Sequence, residues 1–178
     1  LTWQFEEVHV REIDVIEHTC KELSFSPEIV FIVSQKRCGH RFFKRDLPRD
    51  QGANVTPGTV QDKHVVGGRE SFDFLLTSHH GLKGTSRTPH YHVLRNDAQL
   101  SSDQVQELIW QLAHLAGRTT KLIKQPAPTY AAHLLAEHFG LKEDRDHGRF
   151  SDTASVTSDR SDASCDLHPA LRSRAFYM

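Results

Sequence analysis

The chain has 178 residues, which suffices for one domain with a hydrophobic core but not for several. Charged residues make up 25% of the sequence and the mean hydropathy is −0.53, so a water-soluble globular domain is expected. No apolar run reaches the length of a membrane span, and a membrane partner is not expected. The three cysteines, Cys20, Cys38 and Cys165, lack CxxC spacing and are expected to be free thiols in a reducing compartment.

The net charge of −1 conceals an uneven distribution of charge along the chain. Residues 29–133 hold 14 basic and 8 acidic side chains, whereas residues 1–28 hold 2 basic and 7 acidic ones. A basic surface on the central segment favours contact with phosphates even when the whole protein is nearly neutral. Charge alone fits a solvated basic surface without a ligand equally well.

The first elements predict an α/β fold. Apolar side chains recur at helical spacing between residues 4 and 23, which indicates an amphipathic helix with a face formed by Phe5, Val8, Ile13, Ile16, Cys20 and Leu23. The continuous apolar run at residues 29–33 indicates a strand that is buried on both faces. A helix followed closely by a buried strand is typical of a central sheet with flanking helices.

Polar segments separate two further predicted strands. Residues 44–70 predict a loop, residues 72–76 and 90–94 predict strands, and residues 77–88 predict the loop between them. This connecting loop is rich in glycine, hydroxyl and basic side chains, and its hydroxyl and basic groups can donate to phosphate oxygens. As a bare pattern it is weak, and it lacks the Gly-Lys-Ser/Thr ending of a Walker A loop.

Two helices are predicted in the second half of the chain. Ser101 and Gln104 have the spacing of a capping box, and the apolar face that follows extends to Leu115. The Pro-Ala-Pro segment at residues 126–128 suits the entry to a last helix, for which Gly140 is the expected C-cap.

The remaining residues are expected to differ from the domain of residues 1–141. Residues 142–168 are rich in Ser and Asp and hold too few apolar side chains to offset the entropy of ordering, so we expect disorder there. The apolar residues that follow predict a tail, residues 169–178, which docks back on the domain. Four serines among aspartates are spaced three residues apart: Ser155, Ser158, Ser161 and Ser164. Our hypothesis is that they are sites of acid-directed phosphorylation, which adds about −1.5 to −2 charge per site.

Basic residues and histidines form the candidate sites. The basic segment 36–41 follows the first strand, where ligands gather in open sheets, so it is interpreted either as a phosphate contact or as a solvated turn. His90 and His92 share a face of a strand and are conceivable metal ligands, but no third ligand has diagnostic spacing and a structural role is favoured. His133 lies one turn before Glu137 in the last helix, and these residues alone favour a surface His–Glu pair.

In combination, six short motifs resemble the C-terminal half of the PIWI domain of eukaryotic Argonaute proteins. They lie in the family's order and at roughly its spacing: QKR at 35–37, NVTPGTV at 54–60, FDF at 72–74, GTSR at 84–87, HYHVL at 90–94 and PAPTYAAH at 126–133. The resemblance runs from about Gln4 to Gly140 and resumes at the last few residues. It implies an α/β, partial RNase H-like fold with a mixed sheet flanked by helices.

The resemblance implies a small-RNA-guided gene-silencing module that holds a guide RNA by its phosphate backbone. The positions that match guide contacts in the family are Lys36, Arg37, His79, Lys83, Arg87, Arg118, Lys121, Tyr130 and Met178. The expected partners are the guide RNA, a complementary target RNA, an upstream MID domain and tryptophan-bearing silencing partners. The expected location is the cytoplasm, with the nucleus as a second one.

The resemblance implies catalysis only in part. Slicing members of the family hold a pair of divalent ions, Mg²⁺ or Mn²⁺, with acidic residues and one histidine, and His133 matches that histidine. The family's acids lie upstream of Leu1, so this chain alone is expected neither to cleave RNA nor to bind those ions tightly. Two alternatives stay open: an intact slicer that uses internal acids such as Asp73 and Asp97, and a truncated, non-catalytic remnant that acts as a protein-interaction module.

Overall fold

The computed structural model describes the backbone in four segments, residues 2–45, 54–67, 72–81 and 84–147. Within them, side chains are described from Phe5 to Glu137. Several predicted features lie outside the described residues: Lys83, Cys165, the tail that ends at Met178, and the serines Ser155, Ser158, Ser161 and Ser164. The chain divides into two compact units, Leu1–Ala127 and Pro128–Met178.

The predicted N-terminal helix is present, but a π-helical turn interrupts it. The π-helical turn spans His9–Ile13. It is preceded by α1 (Thr2–Val8) and followed by α2 (Asp14–Glu22). The wider turn shifts the side chains after it relative to the spacing of a regular helix. Consequently Ile13 is fully buried, whereas Ile16 and Leu23, which the sequence placed on the same apolar face, are exposed.

Four strands of the described chain form one antiparallel sheet, in the order β1-β4-β3-β2. Their bounds are β1 Val30–Gln35, β2 Thr59–Gln61, β3 Phe72–Thr77 and β4 His90–Asn96. The three predicted strands are therefore confirmed as β1, β3 and β4. β2 falls inside the segment predicted as a loop, because three residues of mixed polarity are too short a pattern to indicate a strand.

β1 is less buried than its apolar sequence predicts. All of its residues are half-buried, whereas residues 73–77 of β3 are fully buried. The difference follows from position, because β1 lies at one edge of the described sheet and β3 lies in its interior. The expectation that both faces of β1 are covered is therefore wrong.

The hydrophobic core lies between the sheet and α3 (Ser102–Leu112). Phe74 of β3 and Tyr91 of β4 stack with 5.3 Å between their ring centroids, and Val105 and Ile109 of α3 belong to the same cluster. Phe74 and Tyr91 are also direct partners in the strand register. The same contact therefore stabilises the pairing of β3 with β4 and supports the packing of α3.

The predicted capping box of α3 is confirmed. The Gln104 backbone N–H donates to the Ser101 hydroxyl oxygen at 3.3 Å, and the Ser101 backbone N–H donates to the Gln104 side-chain oxygen at 2.8 Å. The helix ends at Leu112, and Leu115 is exposed beyond it. The apolar spacing persists past the end of the helix, so it overestimates the length of α3.

The last helix, α4 (Ala127–His147), begins between the two prolines as predicted. It continues through Gly140, so the predicted C-cap is wrong, and residues 142–147 of the segment expected to be disordered are helical. A glycine inside a helix costs only about 1 kcal/mol, and the residues after it include the good helix formers Leu, Lys, Glu and Arg. In the described part of the chain, no helix is long and apolar enough to cross a membrane.

Leu76 of β3 is fully buried in the core cluster. We predict that Leu76→Ala lowers the free energy of unfolding by about 2–5 kcal/mol, because it removes buried apolar surface and leaves a cavity. The matched change Leu115→Ala, at a leucine that is 68% exposed, should alter that free energy by less than about 0.5 kcal/mol. Urea denaturation measures both variants, and equal losses would contradict this description of the core.

Candidate nucleic-acid interface

Five cationic side chains lie close together in the first unit. Burial is the largest cause that lowers the pKa of Lys124, and the positive charges of Arg87, Arg41, Lys36 and Arg37 lower it further. We call these five residues the Lys124 cluster. The charged groups with the largest effect on this pKa are all cations, so the main electrostatic effect of the neighbours on Lys124 is repulsion. An anion in contact with the cluster would favour the charged form of Lys124.

The pairing of β1 with β4 brings the members of the cluster together. Gln35 at the end of β1 lies opposite His90 at the start of β4, so the turn after β1 and the loop before β4 meet at one end of the sheet. Lys36 belongs to that turn and Arg87 to that loop. The Lys124 ammonium donates to the Lys36 carbonyl oxygen at 2.6 Å, which holds a third segment against the turn.

Buried polar contacts anchor the segment that carries Lys124. The Ser78 hydroxyl lies 2.9 Å from the carbonyl oxygens of Ile123 and Lys124 and can donate to either. The side-chain amide of Gln125 donates to the Ser34 hydroxyl at 3.4 Å. Since Ser34 belongs to β1 and Ser78 directly follows β3, two strands of the sheet fix the position of Lys124.

The turn after β1 is held by contacts among its own residues. Nη1 of Arg41 donates to the carbonyl oxygens of Cys38 and His40 at 2.7 Å each. The thiol of Cys38, which is buried, lies 2.9 Å from Nδ1 of His40. Cys38 and Cys20 are free thiols, as predicted. The guanidinium of Arg41 is thus fixed in place and contributes positive charge to the cluster.

Asn54 shapes the loop before β4. Its amide N–H donates to the Gly84 carbonyl oxygen, and its carbonyl oxygen accepts from the Ser86 backbone N–H, both at 2.9 Å. A Cβ on Gly81 would lie 2.6 Å from the Ser86 hydroxyl, so a larger residue at this position would displace that side chain. Ser86 is buried and its backbone N–H is bonded to Asn54, whereas Arg87 is exposed.

No local pattern could identify Asn54 as the residue that organises this loop. Its two partners lie 30 and 32 residues further along the chain. The NVTPGTV motif contained it, but nothing in that motif assigned a role to its side chain. The contact becomes apparent only when the segment before β2 lies beside the loop before β4.

His79 is a half-buried histidine whose pKa is affected by the cluster. Burial is the main cause that lowers the pKa of His79, and the charges of Lys124 and His80 lower it further. Its Nδ1 atom is buried and has no hydrogen-bond partner among the described residues. A neutral imidazole can donate or accept one hydrogen bond according to its tautomer, so His79 suits a polar ligand group rather than charge neutralisation.

Other predicted RNA contacts lie outside the Lys124 cluster. Arg118 and Lys121 are exposed after α3, and neither is among the charges that define the cluster. Tyr130 and His133 lie on α4 in the second unit. Nε2 of His133 lies 3.9 Å from a carboxylate oxygen of Glu137, which is the i,i+4 pair that the residue spacing indicates.

A second candidate site spans β3 and β4. Asp73 lies directly opposite His92 in the strand register. Nε2 of His90 lies 2.6 Å from Oδ2 of Asp73, and both carboxylate oxygens of Asp73 accept from the Gly67 backbone N–H at 3.0 Å. One potential ligand atom from each of Asp73, His90 and His92 lies within 4.8 Å of the others. The sequence showed no third ligand for the two histidines, and the fold supplies one from a neighbouring strand.

The ring of His92 is in contact with two other rings. Its centroid is 4.7 Å from that of Phe5 and 4.0 Å from that of His90. Burial is the largest cause that lowers the pKa of His92, His90 lowers it further, and Asp73 acts in the opposite direction. Nε2 of His92 is buried and has no hydrogen-bond partner in the described part of the chain. A purely structural role for the histidine pair leaves this polar atom unexplained.

The Piwi domain family matches residues 3–142, and the chain belongs to this family. The resemblance read from the six motifs is therefore confirmed.

The curated relatives of the chain are Argonaute proteins. It is 36% identical over 174 residues to protein argonaute 12 of Oryza sativa subsp. japonica, covering 95% of this chain and 16% of that protein. It is 45% identical over 138 residues to protein argonaute 18 of the same organism and 40% identical over 134 residues to protein argonaute 7 of Arabidopsis thaliana. Each of these two matches covers 75% of this chain and 13% of the relative. The chain thus spans about a sixth or less of the length of these relatives.

Solved structures confirm the fold. The C-terminal lobe of a budding yeast Argonaute matches with a TM-score of 0.73 and 28% identity, covering 84% of this chain and 33% of that one. Kluyveromyces polysporus Argonaute with a guide RNA matches with a TM-score of 0.67 and 32% identity, covering 74% of this chain and 18% of that one. The predicted α/β arrangement of a sheet with flanking helices is that of the Argonaute PIWI lobe.

The lowered pKa of His79 predicts a pH-dependent contribution to stability. Because protonation is less favourable in the folded chain than in the unfolded chain, stability should fall as the pH decreases below about 6.5. His79→Gln should remove this contribution, so its free energy of unfolding should fall less steeply between pH 7 and pH 5. Urea denaturation at several pH values measures the slope. The exposed-site control His18→Gln should keep the original slope, and an unchanged slope in His79→Gln would refute the prediction.

Proposed function

We propose that this chain binds the guide RNA of a small-RNA silencing protein and that the Lys124 cluster holds phosphates of the guide backbone. The observation that carries the proposal is the concentration of cations around half-buried Lys124, whose pKa is lowered by four positively charged neighbours. Membership of the Piwi domain family and similarity to an Argonaute solved with a guide RNA support it.

A bound phosphate would relieve the repulsion within the cluster. Without an anion, Lys124 lies partly buried among four like charges, which disfavours its charged form. A phosphate accepts charge-assisted hydrogen bonds from arginine and lysine and favours that form. The fold already fixes Lys124 and Arg41, so little ordering of these two side chains remains to oppose binding. Contacts of this kind position the RNA backbone and leave the reading of sequence to base pairing.

The members of the cluster differ in the contact that we assign to them. Arg87 and Arg37 are exposed, and with Lys36 they are the direct phosphate contacts in this proposal. Lys124 is the partly buried charge that strengthens the positive potential behind them. Half-buried His79 donates to or accepts from a polar group of the RNA, such as a ribose 2′-hydroxyl.

We assign contacts elsewhere along the RNA to residues outside the cluster. Arg118 and Lys121 are exposed and free to meet phosphates, and half-buried Tyr130 offers an aromatic ring and a hydroxyl. Lys83 and Met178 stay predictions, because both lie outside the described residues.

We also propose that His133 is the histidine of a slicer active site. When bound, the divalent ions of such a site activate a water molecule and stabilise the leaving oxygen. On α4, Glu137 is the described acid that pairs with His133, at 3.9 Å, and one carboxylate does not suffice for two ions. The described residues of α4 therefore do not by themselves fit the ion pair. In this proposal His133 contributes one group to a site whose acids come from elsewhere, and the chain alone does not cleave RNA.

A groove beside α2 favours a second candidate function, the docking of a protein partner. Its volume is about 180 Å³, and its lining is half apolar and half polar. Cys20, Phe25, Pro27 and Ile29 form the apolar part, and Glu17, Lys21, Ser26 and Arg95 form the polar part. Phe25 is 60% exposed, which is unusual for a large aromatic side chain. A tryptophan side chain of a silencing partner is the occupant that we propose, because aromatic anchors commonly fill such pockets at interfaces.

Replacement of cluster cations should weaken RNA binding without changing sequence preference. We predict that Arg87→Ala and Lys36→Ala each weaken binding of a short single-stranded RNA roughly tenfold, about 1.4 kcal/mol. Each should also reduce the slope of log affinity against log salt concentration by about 0.7, the value for one lost phosphate contact on a single strand. Fluorescence anisotropy across a salt series measures both quantities.

The matched control for this experiment is Lys21→Ala. Lys21 is an exposed lysine of α2 that pairs with Glu17, so its loss should leave both the affinity and the salt slope unchanged. If both cluster variants bind as tightly as the original chain, the assignment of the guide contacts is wrong. An equal loss in Lys21→Ala would indicate unspecific attraction by net charge.

The chain by itself should leave a matched target RNA intact. We predict no cleavage above background when the purified chain, a guide and a labelled complementary target are incubated with Mg²⁺ or Mn²⁺. Denaturing gel electrophoresis detects the product. Metal-dependent cleavage that is lost in His133→Ala and retained in His18→Ala would contradict the prediction and establish an intact slicer.

A further inference from the structure

Paired strands bring three potential metal ligands together across β3 and β4. Asp73 is the register partner of His92, and His90 lies two residues away from His92 on the same face of β4. Their potential ligand atoms lie within 4.8 Å of one another. A tetrahedral ion with ligands at about 2.0–2.1 Å needs ligand atoms about 3.3 Å apart, a difference that small side-chain rotations can cover. The sheet therefore holds the group close to the geometry of a single-ion site.

One polar atom of this group has no partner in the described chain. Nε2 of His92 is buried there and forms no hydrogen bond. A buried polar atom without a partner destabilises a fold, so its presence on an interior strand requires an explanation. A metal ion supplies one, because imidazole nitrogen is among the commonest metal ligands in proteins.

We propose that Asp73, His90 and His92 bind one zinc ion. Two imidazoles and one carboxylate are a donor set that zinc accepts, with the fourth position left to water or to another ligand. Imidazole suits zinc, whereas magnesium prefers oxygen ligands. The site therefore differs in its chemistry from the magnesium or manganese pair of a slicer, and it does not include His133.

Neighbouring groups orient the three side chains, as the groups that hydrogen-bond to metal ligands do at zinc sites. The Gly67 backbone N–H donates to both oxygens of Asp73 at 3.0 Å, which restricts rotation of the carboxylate. The ring of Phe5 packs 4.7 Å from that of His92 and shields it from water. The His90 side chain keeps 13% of its surface exposed, so solvent reaches the group on that side.

Zinc uptake by this group replaces a hydrogen bond. Nε2 of His90 lies 2.6 Å from Oδ2 of Asp73, and an ion that coordinates both atoms takes the place of the proton between them. A neutral imidazole that binds zinc through Nε2 carries its single proton on Nδ1, so no net proton is released and no electron is transferred. Coordination then links β3 to β4 at three side chains, so zinc binding stabilises the folded chain.

The test is a zinc titration of the metal-free 178-residue chain in competition with a chromophoric chelator. We expect one tightly bound equivalent, a rise of the thermal unfolding midpoint with zinc, and the visible absorption of tetrahedral Co²⁺ after cobalt substitution. His92→Phe keeps an aromatic ring against Phe5 and removes the nitrogens. It should weaken zinc binding about 100-fold or more, because loss of a group that only hydrogen-bonds to a metal ligand already lowers metal affinity about 10–100-fold.

The matched control is the same substitution at an exposed histidine. His18→Phe should keep the zinc stoichiometry, the zinc affinity and the midpoint shift. Circular dichroism establishes that each variant folds, and His90→Gln takes the place of His92→Phe if the latter does not fold. Unchanged zinc binding in a folded ligand variant, or loss of binding in His18→Phe, would overturn the proposal and assign the zinc to surface histidines.

RNA binding by the same variant keeps this proposal separate from the proposed function. His92 lies on β4 and is not one of the five residues of the Lys124 cluster. Zinc-free His92→Phe should therefore bind single-stranded RNA within about twofold of the zinc-free original chain. A larger loss of RNA affinity would show that His92 supports the basic surface rather than a separate ion site.

Discussion

The antiparallel pairing of β1 with β4 is the interaction on which the basic surface depends. It places the turn that carries Lys36 and the loop that carries Arg87 at the same end of the sheet. Lys36 and Lys124 are 88 positions apart in the sequence, and a hydrogen bond joins them once this pairing has formed. A one-residue slip of β4 would turn all its side chains to the opposite face of the sheet. Tyr91 would then leave the core that supports the whole arrangement.

The fold tolerates a concentration of positive charge because buried contacts hold the charged segments in place. Lys124 donates to a backbone carbonyl oxygen, and its own carbonyl lies within reach of the buried Ser78 hydroxyl. Asn54 holds the loop before Arg87 in place through two hydrogen bonds. Neutral polar contacts therefore oppose the repulsion among the cations, and such contacts leave the positive charge available to an anionic ligand.

Features that depend on neighbours in the sequence were predictable, and features that depend on strand pairing were not. The capping box of α3 could be predicted because Ser101 and Gln104 are three residues apart. The half-burial of β1 could not, because an apolar run does not reveal whether a strand lies at an edge or in the interior. For the same reason the sequence suggested His90 and His92 as a pair without Asp73, which belongs to another strand. Resemblance to a family supplied the positions of candidate RNA contacts but none of their geometry.

β4 serves both candidate sites, and the alternation of its side chains keeps them apart. Tyr91 faces Phe74 and α3, whereas His90 and His92 lie on the opposite face of the strand. Arg87 precedes the strand, so it lies beyond the end of β4 rather than on either face. Contacts that fix the pairing of β3 with β4 also fix the start of β4 and hence the loop that presents Arg87. The stack of Phe74 on Tyr91 provides such a contact on one face of the sheet, and an ion held by the histidines would provide another on the opposite face.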